Sequence, residues 1–317
     1  MVGKVKKTRL LLKKGDQERH YWLTGVLRCR GSVIPVIITR VVLCALFGFL
    51  ISFLHYLGFD VSLPILSSIF PSIVLGLLLV FRTNTAYDRF WEGRKLWGNL
   101  INNVRNFART IWITVEENKE KDREEKVATL RLLVAFAVAL KLHLRGEKVN
   151  SELADLMPKK WYEKLKEMNN PPLEVAFWIG DYLQKQYENK CINAYQITVM
   201  FKLLDNMVDV LGGCERIKKT PIPLAYSIHL RQLMLIYCLT LPFQVVMEFN
   251  WWTGVIVGII SFTVFGIEAI GIEIENPFGY DPNDLPLDEI CDTMEKNIED
   301  LISLAPCVRH WRQEALD

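Results

Sequence analysis

Residues 63–81 read LPILSSIFPSIVLGLLLVF, nineteen residues without a charge. A helix rises about 1.5 Å per residue, so this stretch is about 28 Å long and matches the ~30 Å hydrocarbon core of a bilayer. It belongs either in a membrane or at the centre of a large core, and the rest of the chain decides between the two. Apolar residues concentrate at 33–81 and 222–274, whereas 82–221 and 275–317 are rich in charge. A water-soluble chain of 317 residues would mix the two along its length. The segregation predicts an integral membrane protein.

Residues 33–57 form a second span, interrupted by Arg40. A central arginine costs roughly 2.5–3.5 kcal/mol, while each Leu, Ile, Phe or Val returns about 0.3–0.6. Sixteen such residues lie in this window and outweigh it. Arg40 is then expected to face protein or water, not lipid. Residues 222–247 and 252–274 make a third and fourth span, joined by the aromatic break Glu248-Phe249-Asn250-Trp251-Trp252. Tryptophans at such a break suit the headgroup level. His229, Arg231, Glu268 and Glu273 make these spans impure. Charges inside a membrane pair with one another or face a wet cavity, so Arg40 and Glu268 each call for a partner.

Nine Lys and Arg precede the first span, the turn at 58–62 has none, and Arg82, Arg89, Arg94 and Lys95 follow the second. The positive-inside rule places both termini and the region 82–221 in the cytoplasm. That region has helical periodicity: Phe90, Leu96, Trp97, Leu100, Val104, Phe107 and Ile111 recur at three-to-four spacing within 83–118, and further helices are predicted over 126–144 and 191–211. The fold class is therefore all-α. A cytoplasmic segment 1–32, two spans within 33–81, a helical region 82–221, two spans within 222–274 and a cytoplasmic tail 275–317 follow in order. With 38 Lys+Arg against 36 Asp+Glu, nothing suggests a nucleic-acid partner.

Enzymatic motifs are missing: the chain has no HExxH, GxSxG, Walker loop or GxGxxG. The seven cysteines show no CxxC spacing, so reduced thiols are expected. No secretory signal or transit peptide stands out in the first twenty residues, which favours a bacterial chain, and so an inner membrane, with a thylakoid membrane as the alternative.

Two patterns carry chemistry. Ile69, Ile73 and Leu77 recur at i, i+4, i+8 in the charge-free span, flanked by the small residues Ser72 and Gly76. In a symmetric oligomer this stripe would stack rings of apolar side chains that gate by dewetting; alternatively it packs against a neighbouring helix. After the fourth span, Glu273, Glu275, Asn276-Pro277-Phe278-Gly279, Asp281 and Asp284 form an acidic turn. Its oxygens either face solvent or supply ligands to Ca²⁺, though the spacing is not that of an EF-hand.

Together, Arg30-Gly31-Ser32, the run Ser72 to Gly76 continuing into Arg82-Thr83-Asn84-Thr85-Ala86-Tyr87-Asp88-Arg89-Phe90-Trp91-Glu92, Pro221 to Tyr226, and Glu275-Asn276-Pro277-Phe278-Gly279 resemble the bestrophin family of ion channels, in its prokaryotic or plant thylakoid branch. The resemblance covers nearly the whole chain. It implies a homopentamer in a lipid bilayer that passes small monovalent ions, chloride or bicarbonate, through an axial pore. A cation-passing bacterial channel, or an anion carrier without a continuous pore, is the alternative. It further implies a neck at Ile69, Ile73 and Leu77, and a cytoplasmic constriction with Tyr195 and Ile197 as candidates. A calcium clasp would use Asp281 and Asp284 with carbonyls of Glu273, Asn276 and a residue near Gly15. Tyr280, Pro282 and Asn283 stand where animal members are continuously acidic, so calcium activation does not carry over directly.

Overall fold

A computed structural model describes residues 31–62, 69–117 and 120–304. All regular elements among them are helical. In chain order they are α1 (Ile34–Tyr56), α2 (Ile69–Thr114), α3 (Glu120–Arg145), α4 (Lys159–Leu165), α5 (Pro171–Glu188), α6 (Ala194–Lys219), α7 (Leu224–Phe249), α8 (Thr253–Glu273) and α9 (Leu287–Ser303). Single 3-10 turns occupy Ser151–Leu153 and Asn250–Trp252. The chain divides into two compact units. A span unit contains Met1–Thr85, Pro223–Glu273 and Asp281–Asn283; a helical extension contains Ala86–Ile222, Ile274–Tyr280 and Asp284–Asp317.

In the span unit, α1 packs on α8 and α7 through a seam of small residues. A Cβ on Gly48 would lie 2.9 Å from the Gly254 Cα, and one on Gly258 would lie 3.3 Å from the Ala45 Cβ. Lipid tails are as apolar as leucine, so helices in a membrane gain contact mainly by such close approach. Ile37, Val41, Leu75, Leu79, Leu230, Met234, Cys238, Phe265 and Ala269 form the unit's core. The turn between α7 and α8 is tied to α1 by Ser52, whose hydroxyl donates to the Asn250 carbonyl at 2.9 Å. Tyr56 stacks near Trp251 there, with ring centroids 5.5 Å apart.

The extension is built around α3. The segment Lys121–Arg145 is long and apolar enough to cross a membrane, as are α1, α2 and the α7–α8 pair. It differs in being 78% buried inside the protein, against 22–33% for the others. Its apolar surface is satisfied by α5 and α9, which identifies an all-round apolar core helix rather than a further span. Start signals fix the flanking helices. Asn193 caps α6 in a capping box with Gln196, and Asn170 caps α5 ahead of Pro171.

α2 departs from the sequence expectation of a span ending at 81 followed by a separate helix. It is a single helix of 46 residues, about 69 Å long. Charge begins at Arg82, but no proline or glycine pair interrupts the backbone ladder there, so the helix continues.

Candidate functional site

Helical geometry splits the start of α2 into two faces. Leu75, Leu79 and Arg82 are buried in the span unit, with Arg82 Nη1 donating to Ser227 Oγ at 2.8 Å. Tyr226 adds a bond from its hydroxyl to the Leu78 carbonyl at 2.6 Å. Roughly opposite on the helical wheel lie Ile73 and Leu77, which are 56% and 53% exposed. Ile69 belongs to α2, but its side chain falls outside the described residues. Ile73 and Leu77 thus do not serve as core packing within this chain. Gly76 beside them has nothing within 4 Å of where a Cβ would sit, which leaves room for close approach by another helix.

The membrane charges come together. Glu268 on α8 is 1% exposed; Arg231 Nε on α7 lies 3.2 Å from one oxygen, and Arg40 Nη1 on α1 lies 3.9 Å from the other. Each of the two expected lone charges has an opposite charge within reach. Arg231 as a second cation was not foreseen, because nothing in the sequence reports that α7 and α1 flank the same turn of α8.

The two cytoplasmic constriction candidates separate. Tyr195 in the first turn of α6 is largely open to solvent, while Ile197 is turned into the extension's core with Met200 and Leu204. The capping box sets that register: Asn193 Oδ1 accepts from the Tyr195 and Gln196 amides at 3.0 Å, which directs residue 197 inward. A polar cavity of about 400 Å³ in the extension was missed. Asn99, Asn102 and Asn103 from α2 and Asn206 and Asp209 from α6 line it. The asparagines at i, i+3, i+4 are its sequence signal. Carboxamides present both a donor and an acceptor and can solvate either sign of ion.

The acidic turn divides between the units. Glu273 and Asp281 belong to the span unit, Asn276 and Asp284 to the extension, and Gly15 lies outside the described residues. In the span unit, Asn283 Nδ2 donates to Glu273 Oε1 at 2.8 Å and to the Gly31 carbonyl at 3.2 Å. A neutral amide thus bridges the Glu273 carboxylate and the Gly31 carbonyl. In the extension, Asp284 folds over Gly279, its Oδ2 lying 2.7 Å from the position a Cβ would take, and Leu285 N–H donates to the Pro277 carbonyl at 3.0 Å. Among the described residues no three His, Cys, Asp or Glu side chains cluster so as to hold a metal.

The residues that carry the family resemblance also have structural work. Arg89 donates to the carbonyls of Glu275 (3.0 Å) and Ile217 (2.7 Å) and to that of Thr220, tying the end of α6 to the start of the acidic turn. Glu275 returns an acceptor to the Ile222 amide at 3.0 Å. Phe278 is fully buried against Gly93, where a Cβ would lie 3.1 Å from the ring.

Known proteins bear on this geometry. Residues 15–300 match the family described as Bacterial/Fungal Bestrophin protein. A voltage-dependent anion channel-forming protein of Nostoc sp. is 66% identical over 291 residues, covering 92% of this chain and 95% of the relative. One of Escherichia coli K12 is 31% identical over 281 residues, covering 87% and 90%. A crystal structure of a bacterial bestrophin homolog from Klebsiella pneumoniae superposes with a TM-score of 0.77 at 29% identity, covering 85% of this chain and all of that one.

Proposed function

The chain belongs to the bacterial and fungal bestrophin family, and from that premise we propose that it is an anion channel of a bacterial inner membrane. Five copies surround an axial path that passes small monovalent anions such as chloride or bicarbonate. The α2 stripe of Ile69, Ile73 and Leu77 forms its neck, and both termini lie in the cytoplasm. The observation that carries this reading is the open, uncharged face of α2 at Ile73 and Leu77, opposite a face buried by the chain itself. A ring of branched apolar side chains narrows the path and sets a dewetting barrier. Tyr195 is the candidate for the second constriction, since its side chain is free to reach a central path.

A cation-conducting channel is the second reading. Asp209 in the carboxamide cavity favours it, because that cavity carries one carboxylate and no basic side chain. Reversal potentials in planar bilayers separate the two. Under a tenfold gradient of potassium chloride, an anion channel reverses near the chloride equilibrium potential, about 59 mV from zero. Reversal at the same magnitude with the opposite sign makes it a cation channel, and absence of current in reconstituted, folded protein removes the channel reading.

A further inference from the structure

The span unit contains a groove of about 530 Å³ between α1, α7 and α8. Its walls are apolar, with Leu43, Phe47, Leu235, Leu239 and Phe265 among the lining residues, and it is flanked by Arg40 and Arg231. Both arginines face the single carboxylate of Glu268. One negative charge cannot balance two guanidinium groups, so the cluster keeps one excess positive charge. Arg40 lies beyond hydrogen-bonding distance of Glu268, and Arg231 commits only Nε to it. Their side chains remain 55% and 58% exposed.

The depth of the cluster is consistent along all three helices. Arg40 is about 9 Å from the start of α1, Arg231 about 10 Å from the start of α7, and Glu268 about 8 Å from the end of α8. From Arg231 to Leu239 the apolar wall runs about 12 Å further along α7. A charged head at one end and an apolar channel running toward the bilayer interior describe an amphiphile.

We propose that this groove binds an anionic phospholipid of the adjoining leaflet. The headgroup phosphate lies on the guanidinium groups of Arg40 and Arg231, and one acyl chain lies along Leu43, Phe47, Leu235 and Leu239. An apolar face of a second copy would cover the wall and leave the excess charge unmatched. Free phosphate would match the charge and leave the wall empty. Anionic lipid satisfies both, and arginine's fork of donors suits a phosphate better than a point charge does. The inference rests on the placement of these helices in a bilayer and is independent of whether the protein conducts.

Native mass spectrometry of the full-length, detergent-purified protein tests it, with phosphatidylglycerol and phosphatidylcholine added separately. Phosphatidylglycerol should be retained at least about fivefold more strongly. R40Q leaves the Arg231–Glu268 pair intact and should bring the two lipids to parity. L235W keeps every charge, narrows the groove and should weaken both. Millimolar inorganic phosphate should not displace the lipid. Equal retention of the two lipids, unchanged binding in both variants, or displacement by inorganic phosphate would each overturn the proposal.

Discussion

The seam between α1 and α8 permits a sharp comparison of two glycine substitutions. A Cβ at position 254 would meet the Phe49 ring at 2.5 Å, while one at position 48 would meet the Gly254 Cα at 2.9 Å. By distance alone, Gly254→Ala looks the more severe. The contacted atoms reverse that order. Phe49 is part-exposed and its ring can swing outward, whereas the Gly254 backbone moves only if α8 moves. Restoring a carbon contact of about 3.5 Å requires the helices to separate by about 0.6 Å, a gap that forfeits about a quarter or more of each dispersion contact across the seam. Overpacking of this kind costs about 1–3 kcal/mol, and alanine in a helix returns up to ~1 kcal/mol over glycine. Gly48→Ala should therefore destabilise by about 1–2 kcal/mol and Gly254→Ala by less than about 1 kcal/mol. Thermal melts in detergent, followed by tryptophan fluorescence, would show this as a drop in Tm of about 2 °C or more for the first variant only. A larger loss for Gly254→Ala, or no loss for Gly48→Ala, would refute the backbone argument.

Two more outcomes follow from the polar contacts. Asn283→Asp replaces the bridging amide with a carboxylate facing Glu273, so the variant should lose stability and regain it with millimolar calcium. The unmodified protein should give no calorimetric heat with calcium, and calcium binding to it would support the metal clasp. Asp288 is held by Arg145 at 2.9 and 3.0 Å and by Lys141 at 2.8 Å, and the Arg145 bonds lead in lowering its carboxyl from 3.8 to about 2. A carboxyl depressed in the folded state contributes in full above its unfolded value and loses that contribution as pH falls. The stability difference between the parent and Asp288→Asn should thus be constant above about pH 4 and vanish toward pH 2; a difference that persists at pH 2 would contradict the pairing.

The spans were legible because bilayer insertion depends on composition, which a sequence displays directly. α1, α7 and α8 fall within two or three residues of the charge-poor stretches. Charge content misleads where a helix keeps its hydrogen bonds while its surroundings change, as in α2 beyond Arg82. It misleads again at Lys121–Arg145, where apolar character reflects burial in protein. That Arg40 and Glu268 needed partners was readable from the cost of burying charge, but the identity of Arg231 depended on which helices meet. At the acidic turn, counting carboxylates does not reveal that the amide of Asn283 joins Glu273 to the Gly31 carbonyl. That Ile197 points into the core while Tyr195 stays open depends on a register that the Asn193 capping box fixes. The carboxamide cavity joins residues of α2 and α6, far apart in sequence, so half of its lining could not be inferred locally.

The central claim is that the open face of α2 lines a conducting path, and single-channel conductance of a variant with Ile69, Ile73 and Leu77 all replaced by alanine tests it most directly. Smaller side chains widen the apolar constriction and lower the cost of wetting it, so conductance should rise above that of the parent protein. An unchanged conductance in a triple variant that folds and assembles normally would contradict the account and leave the stripe as helix packing between copies.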